Sequence, residues 1–207
     1  MANTQAYNGF QSWFGGSGGA STWAQSVRRI ASGNATAIYS GDPVMPVVGT
    51  ATGYITQASP GSTVIDGIFV GCKYLSTSQK RTVWSPYWPG SDATGDIEAY
   101  IIDDPNAQFI VQTSTSAFQV TGSLTTFTSS PVGQYAQFSI GSGNTSNGQS
   151  GAYLSSLNTT VTFPFIVRDM YVGPSNGGDP TALYCKVIVG FNNEWLRTNG
   201  AGPTGIS

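Results

Sequence analysis

Ala182-Leu183-Tyr184-Cys185-Lys186-Val187-Ile188-Val189-Gly190-Phe191 alternates along its length: Leu183, Cys185, Val187, Val189 and Phe191 fall on one face, Ala182, Tyr184, Lys186, Ile188 and Gly190 on the other. An extended chain throws successive side chains to opposite sides, so this stretch reads as a strand with one wholly apolar face. Outward from it, similar segments recur: TAIYSGDPV from Thr36, ATGYITQASPG from Ala51 and TVIDGIFVGCKYL from Thr63, broken by Gly41-Asp42-Pro43 and Ser59-Pro60-Gly61. IEAYIIDDPNAQFIVQT, from Ile97 to Thr113, reads as two short strands in a hairpin-like connection. Pro105 presets a turn position there, and Asp103, Asp104 and Asn106 can bond back to their own backbone. No dozen-residue window holds apolar residues at helical spacing without Gly, Pro or a β-branched run, so any helix is expected to be short. No internal repeat of fixed period is visible. The expected fold is all-β, an antiparallel β-barrel or jelly-roll-like sandwich with an extended N-terminal arm. Residues 1–26 are expected to form the arm, 27–196 the domain and 197–207 a C-terminal tail. The polar loops 141–151 and 173–180 are expected to be exposed and mobile.

Composition narrows the function. Of 207 residues 9% are charged and the net charge is -2; an average soluble protein is about one quarter charged. Eight Lys plus Arg cannot build the cationic surface that a phosphate backbone demands, which argues against direct nucleic-acid binding. The chain has no His, and so lacks the commonest general base, the commonest metal ligand and the usual partner of a Ser or Cys nucleophile. Neither an enzyme nor a cofactor is expected, and no metal site. No stretch approaches the roughly 20 apolar residues of a membrane span, and MANTQAYNGFQSWFGG lacks the basic-then-apolar order of a secretory signal. Cys72 and Cys185 each lie in an apolar strand-like segment and are expected to be buried free thiols.

The candidate functional residues are aromatic. Tyr7, Phe10, Trp13, Phe14 and Trp23 stud a segment otherwise made of Gly, Ser, Gln and Asn, poor company for a solvated linker, and are expected to pack on the chain's own domain or on a neighbour. Arg28 and Arg29 follow as a solvated edge or a polar anchor. Val83 to Gly90 carries Trp84 before Pro86, and Tyr87 and Trp88 between Pro86 and Pro89. These rings read as a cap on the core, as an interface anchor or as a platform for sugars. The carboxylates Asp96, Glu98, Asp103 and Asp104 offer a weaker hydrolase or calcium reading, since Asp103 to Phe109 breaks the alternation of a calcium loop and a turn accounts for it. GGSGG at 15–19 lacks the Lys and Ser/Thr of a phosphate-binding loop.

The order of segments carries a resemblance. NGF at 8–10, ASGNATAIYSGDPV at 31–44, GIFVGCKYL at 67–75, SPYWPG at 85–90, AYIIDDPNAQFIVQTS at 99–114, GQYAQF at 133–138, GNTSNGQSG at 143–151 and VIVGFNNEW at 187–195 together resemble the decoration, or cement, proteins of tailed-bacteriophage heads. The resemblance spans nearly the whole chain except TNGAGPTGIS at its end. It implies a small β-barrel or jelly-roll module made in the host cytoplasm and carried on the outer surface of the capsid. The implied partners are the major capsid protein and further copies of itself, as a homodimer or homotrimer, with no catalytic residue. The candidate contact residues are then Tyr7, Phe10, Trp13, Phe14, Trp23, Arg28, Arg29, Trp84, Tyr87 and Trp88. The rival expectation is a surface or tail-fibre carbohydrate-binding module using Trp84, Tyr87 and Trp88.

Overall fold

A computed structural model describes residues 3–13, 25–47, 53–123, 126–159 and 161–195. The first of two six-stranded sheets holds β2 (Ser26–Ile30), β4 (Pro43–Pro46), β5 (Ile55–Gln57), β6 (Gly67–Leu75), β7 (Thr82–Ser85) and β9 (Ile97–Ile102), in the order β2-β9-β6-β4-β5 with β7 also on β6. The second holds β1 (Gln11–Ser12), β10 (Gln108–Gln112), β13 (Tyr135–Ser139), β14 (Tyr153–Asn158), β15 (Phe165–Met170) and β16 (Lys186–Phe191), in the order β1-β10-β16-β15-β13-β14. Two small ribbons pair β3 (Ile38–Tyr39) with β8 (Tyr87–Trp88) and β11 (Thr121–Ser123) with β12 (Thr126–Ser129). Every ladder between named strands is antiparallel, and the single helical element among the described residues is a 3-10 turn at Ser116–Phe118.

The two sheets share one plan. In each, the first strand pairs with the last, the last with the fourth, the fourth with the second and the second with the third; β2, β4, β5, β6, β9 match β10, β13, β14, β15, β16 in turn. In each, the fourth strand carries a one-residue bulge against the last, at Val70 and at Arg168, and pairs with the second over only two residues. In each, a single parallel bridge brings the third strand to the first, Arg29 to Tyr54 and Thr113 to Leu154. A lone bridge is not a ladder, so both sheets curl without becoming closed barrels. The chain is therefore all-β and antiparallel, built from a duplicated five-stranded unit that the sequence did not reveal as a repeat.

Each curl surrounds a core. The smaller cluster gathers Ile30, Val44, Ile55, Phe69, Cys72, Tyr74, Ile97, Ala99 and Ile101 inside the first sheet, capped by Ile38 and Trp88 of the β3–β8 ribbon. The larger takes Phe109, Val111, Ala136, Phe138, Leu154, Phe165, Val167, Val187, Val189 and Phe191 from the second sheet, and recruits Ile65, Ile68 and Ile102 from the first half. The alternation at the C-terminal end holds: Cys185, Val187, Val189 and Phe191 all enter this cluster, although the strand begins at Lys186 and Leu183 lies outside, 39% exposed. Both cysteines are buried free thiols, and burial pushes the Cys72 thiol up to about 12.

Two expectations are corrected. Ile97 to Thr113 is not a hairpin, because β9 belongs to the first sheet and β10 to the second. The turn chemistry is as read, with Asn106 N–H donating to Asp104 Oδ1 at 2.8 Å and Ala107 N–H to the Asp104 carbonyl at 2.9 Å. Its twist, however, hands the chain from one unit to the next. The loop 141–151 is not wholly exposed either: Gly148, Ser150 and Gly151 are buried. Ser150 donates to Asp42, which is fully buried and also accepts from Gln57 Nε2 at 2.7 Å and Tyr39 N–H at 2.8 Å, so this loop joins the two units.

Residues 3–13 belong to the folded body. Phe10 is 3% exposed, its ring stacked on Phe165 at 4.4 Å, and its N–H donates to the Gly41 carbonyl. Gly9 makes this entry possible: its φ is 71°, and a Cβ there would lie 2.6 Å from Ser150 Cβ. Beyond it, Gln11 and Ser12 pair with Ile110 and Phe109, and Trp13 N–H donates to the Gln108 carbonyl at 2.9 Å.

Candidate interaction face

The rings of 83–90 separate. Trp88 lies in the first core, fully buried, with its Nε1 donating to the Asn34 carbonyl at 3.1 Å and its ring edge-on to Tyr74. Tyr87 is half-buried, stacked on Tyr39 at 5.2 Å. Trp84, one pleat from Val83 on β7, points the opposite way and is 68% exposed. Its ring is held by Tyr100 at 5.6 Å and nearly parallel, 10° between planes, and by Lys73 Nζ 5.2 Å from the ring centroid.

The sheet explains this grouping. On the outer face of the first sheet, Val27 pairs across to Tyr100 and Tyr100 to Gly71, while Arg29 pairs to Glu98, Glu98 to Lys73 and Lys73 to Trp84. A short row of Val27, Tyr100 and Gly71 thus runs beside a row of alternating charge that ends on Trp84, on strands whose other face builds the core. Glu98 joins the rows, accepting from Tyr100 OH at 2.6 Å and from Lys73 Nζ at 3.4 Å. That bond to Glu98 pushes the Tyr100 hydroxyl up to about 12, and the same bond, with the Lys73 charge after it, holds the Glu98 carboxyl below its usual range. Gly71 forms the floor, where a Cβ would lie 2.9 Å from the Ser85 carbonyl oxygen. The result is an open groove of about 390 Å³ between Trp84, Pro86, Tyr100 and Gln25.

The other expected contact residues take different places. Phe10 and Trp88 are spent inside the core and have no surface to give a partner, which corrects their assignment as contact residues. Tyr7 stacks on Tyr153 at 4.1 Å and Trp13 meets Tyr171 edge-on at 5.5 Å, both within this chain. Phe14 and Trp23 lie outside the described residues. Arg28 turns inward, bonding Asp66 and Asp103 at 2.9 Å each, and is structural, whereas Arg29 is exposed on the outer face. The sequence does not single out Val27, Lys73 or Tyr100, and offers Glu98 only among the carboxylates of the weaker hydrolase or calcium reading. The one hint was Val27, an apolar side chain beside two arginines on a short strand.

The carboxylates are engaged in local structure. Asp96 accepts from Tyr54 OH at 2.7 Å, Asp103 from Ser26 and Arg28, and Asp104 closes its own turn. Among the described residues no group of three His, Cys, Asp or Glu side chains could hold a metal ion, and no helix is long and apolar enough to cross a membrane. Compared with protein-family models, curated proteins and solved structures, the chain matches none.

Proposed function

We propose that this chain is a virion structural protein, a cement protein that binds the outer surface of a phage head and stabilises contacts between major capsid protein subunits. The observation that carries the reading is Trp84, 68% exposed yet fixed between Tyr100 and Lys73. An exposed ring already locked in place loses little entropy on binding and buries large area, the character of an interface hot spot. Low overall charge suits such a contact, since interface cores are depleted in charge. A protein that binds only the assembled shell raises the shell's stability by mass action, and repeated copies multiply each weak contact.

The test is loading onto isolated heads that lack the protein. Wild-type chain should saturate discrete sites and raise the temperature at which heads release DNA. Trp84→Ala should bind about thirtyfold more weakly, the effect of losing about 2 kcal/mol at a hot spot, while melting close to wild type. Equal loading of Trp84→Ala and wild type, or no loading by either, would overturn the proposal. Glycan binding lost in Trp84→Ala, with no loading, would establish the carbohydrate-binding alternative instead.

A further inference from the structure

The duplicated plan makes the two outer faces comparable position by position. Anchored on the shared bulge, Gln25, Ser26 and Val27 of the first sheet correspond to Gln108, Phe109 and Ile110 of the second, and Tyr100 corresponds to Ile188. The second face is closed. Ile110 is 9% and Ile188 6% exposed, and β1 lies along the β10 edge with Trp13 N–H bonded to the Gln108 carbonyl. The first face is open at the same place: Val27 is 54% exposed, and among the described residues no strand pairs with the β2 edge at Ser26 and Val27.

We infer that the β2 edge and the Trp84–Tyr100 groove form a docking site for an extended, uncharged segment of another polypeptide, bound as Gln11-Ser12-Trp13 binds the second sheet. The segment adds a short antiparallel strand along Ser26 and Val27, gives one N–H to the Gln25 carbonyl, and seats a large ring in the groove. The groove favours a side chain over a sugar because the hydroxyl and carboxylate groups beside it already have partners. Glu98 is taken by Tyr100 and Lys73, and the Ser85 hydroxyl donates to the Tyr87 carbonyl at 2.6 Å. A sugar demands polar groups still free to pair. A second copy's residues 3–13 do not fit as the source, because Phe10 anchors them in their own core. The inference rests on reading this face as a docking surface, not on the shell being the partner.

The probe is the acetylated, amidated hexapeptide Asn-Gly-Phe-Gln-Ser-Trp, the sequence of residues 8–13, titrated into isotope-labelled intact protein and followed by backbone amide shifts. We expect saturable shifts at Gln25, Val27 and Tyr100. Val27→Lys should weaken binding at least tenfold, and so should methylating the peptide's tryptophan amide nitrogen, which removes the N–H for Gln25. Val132→Lys, exposed elsewhere, should change nothing. No saturable binding, or binding indifferent to Val27→Lys or to N-methylation, overturns the inference. So does cellotriose moving the same amides at lower concentration than the peptide, or a dimer in sedimentation that Val27→Lys dissociates. Peptide binding by a protein that does not load on heads would sink the cement reading and leave this site standing; loading without peptide binding would do the reverse.

Discussion

Trp84 and Trp88 are four residues apart and have opposite fates, because β7 and β8 belong to different sheets and meet at Pro86. Composition could not separate them; only the pleat decides which ring faces Tyr74 in the core and which faces Tyr100 outside. Their truncations should differ accordingly. Trp88→Ala removes a fully buried ring and should cost about 3–5 kcal/mol in chemical denaturation, whereas Trp84→Ala loses an exposed stack and should cost about 1 kcal/mol. Asp42 gives a second residue-scale expectation. Burial raises its carboxyl above the ordinary range despite bonds from Ser150, Tyr39 and Gln57. Between the ordinary carboxylate pKa and that raised value the folded protein holds a proton that the unfolded chain has released, so this site's contribution to stability falls as pH rises. Asp42→Asn removes the titration. The stability advantage of wild type over Asp42→Asn should therefore shrink as pH rises through that window, in parallel denaturation series; an advantage that grows with pH would show the opposite shift.

The elements show where sequence reading succeeds and where it stops. The β16 alternation was legible because one face of the strand is wholly apolar. The β9–β10 turn was legible too, as chemistry, but turn residues state only that the chain bends, not which strand it meets next. The duplication was invisible because equivalent strands need the same alternation rather than the same residues: Val27 matches Ile110, and Tyr100 matches Ile188. The N-terminal segment was legible only as aromatic and packed, and the register of β1 shows what it packs on. Deleting residues 1–13 should therefore destabilise the whole chain, since it empties the Phe10 site and bares the β10 edge. The check is a melting curve together with hydrogen exchange at Phe109 and Ile110, where protection should drop; a truncated chain as stable as the full one would make the segment dispensable.

At the scale of the molecule, two curled sheets behave as one body because their cores interlock. Ile65, Ile68 and Ile102 pack into the cluster of the second half, a bridge joins Ile65 to Glu194, and Asp42 with Ser150 ties the β3–β4 turn to the loop before β14. Calorimetric unfolding should show a single transition with equal calorimetric and van't Hoff enthalpies; two resolved transitions would mean the units fold separately. On the outer side β1 lines the β10 edge and Ile110 and Ile188 are nearly buried, whereas among the described residues the matching place on the first sheet is uncovered and carries Val27, Tyr100 and Trp84. Hydrogen exchange on the protein bound to phage heads, against the free protein, tests that most directly. The account predicts new protection concentrated at Gln25 to Val27 and Thr82 to Ser85, with the second sheet unchanged; protection confined to the second sheet, or none anywhere, would contradict it.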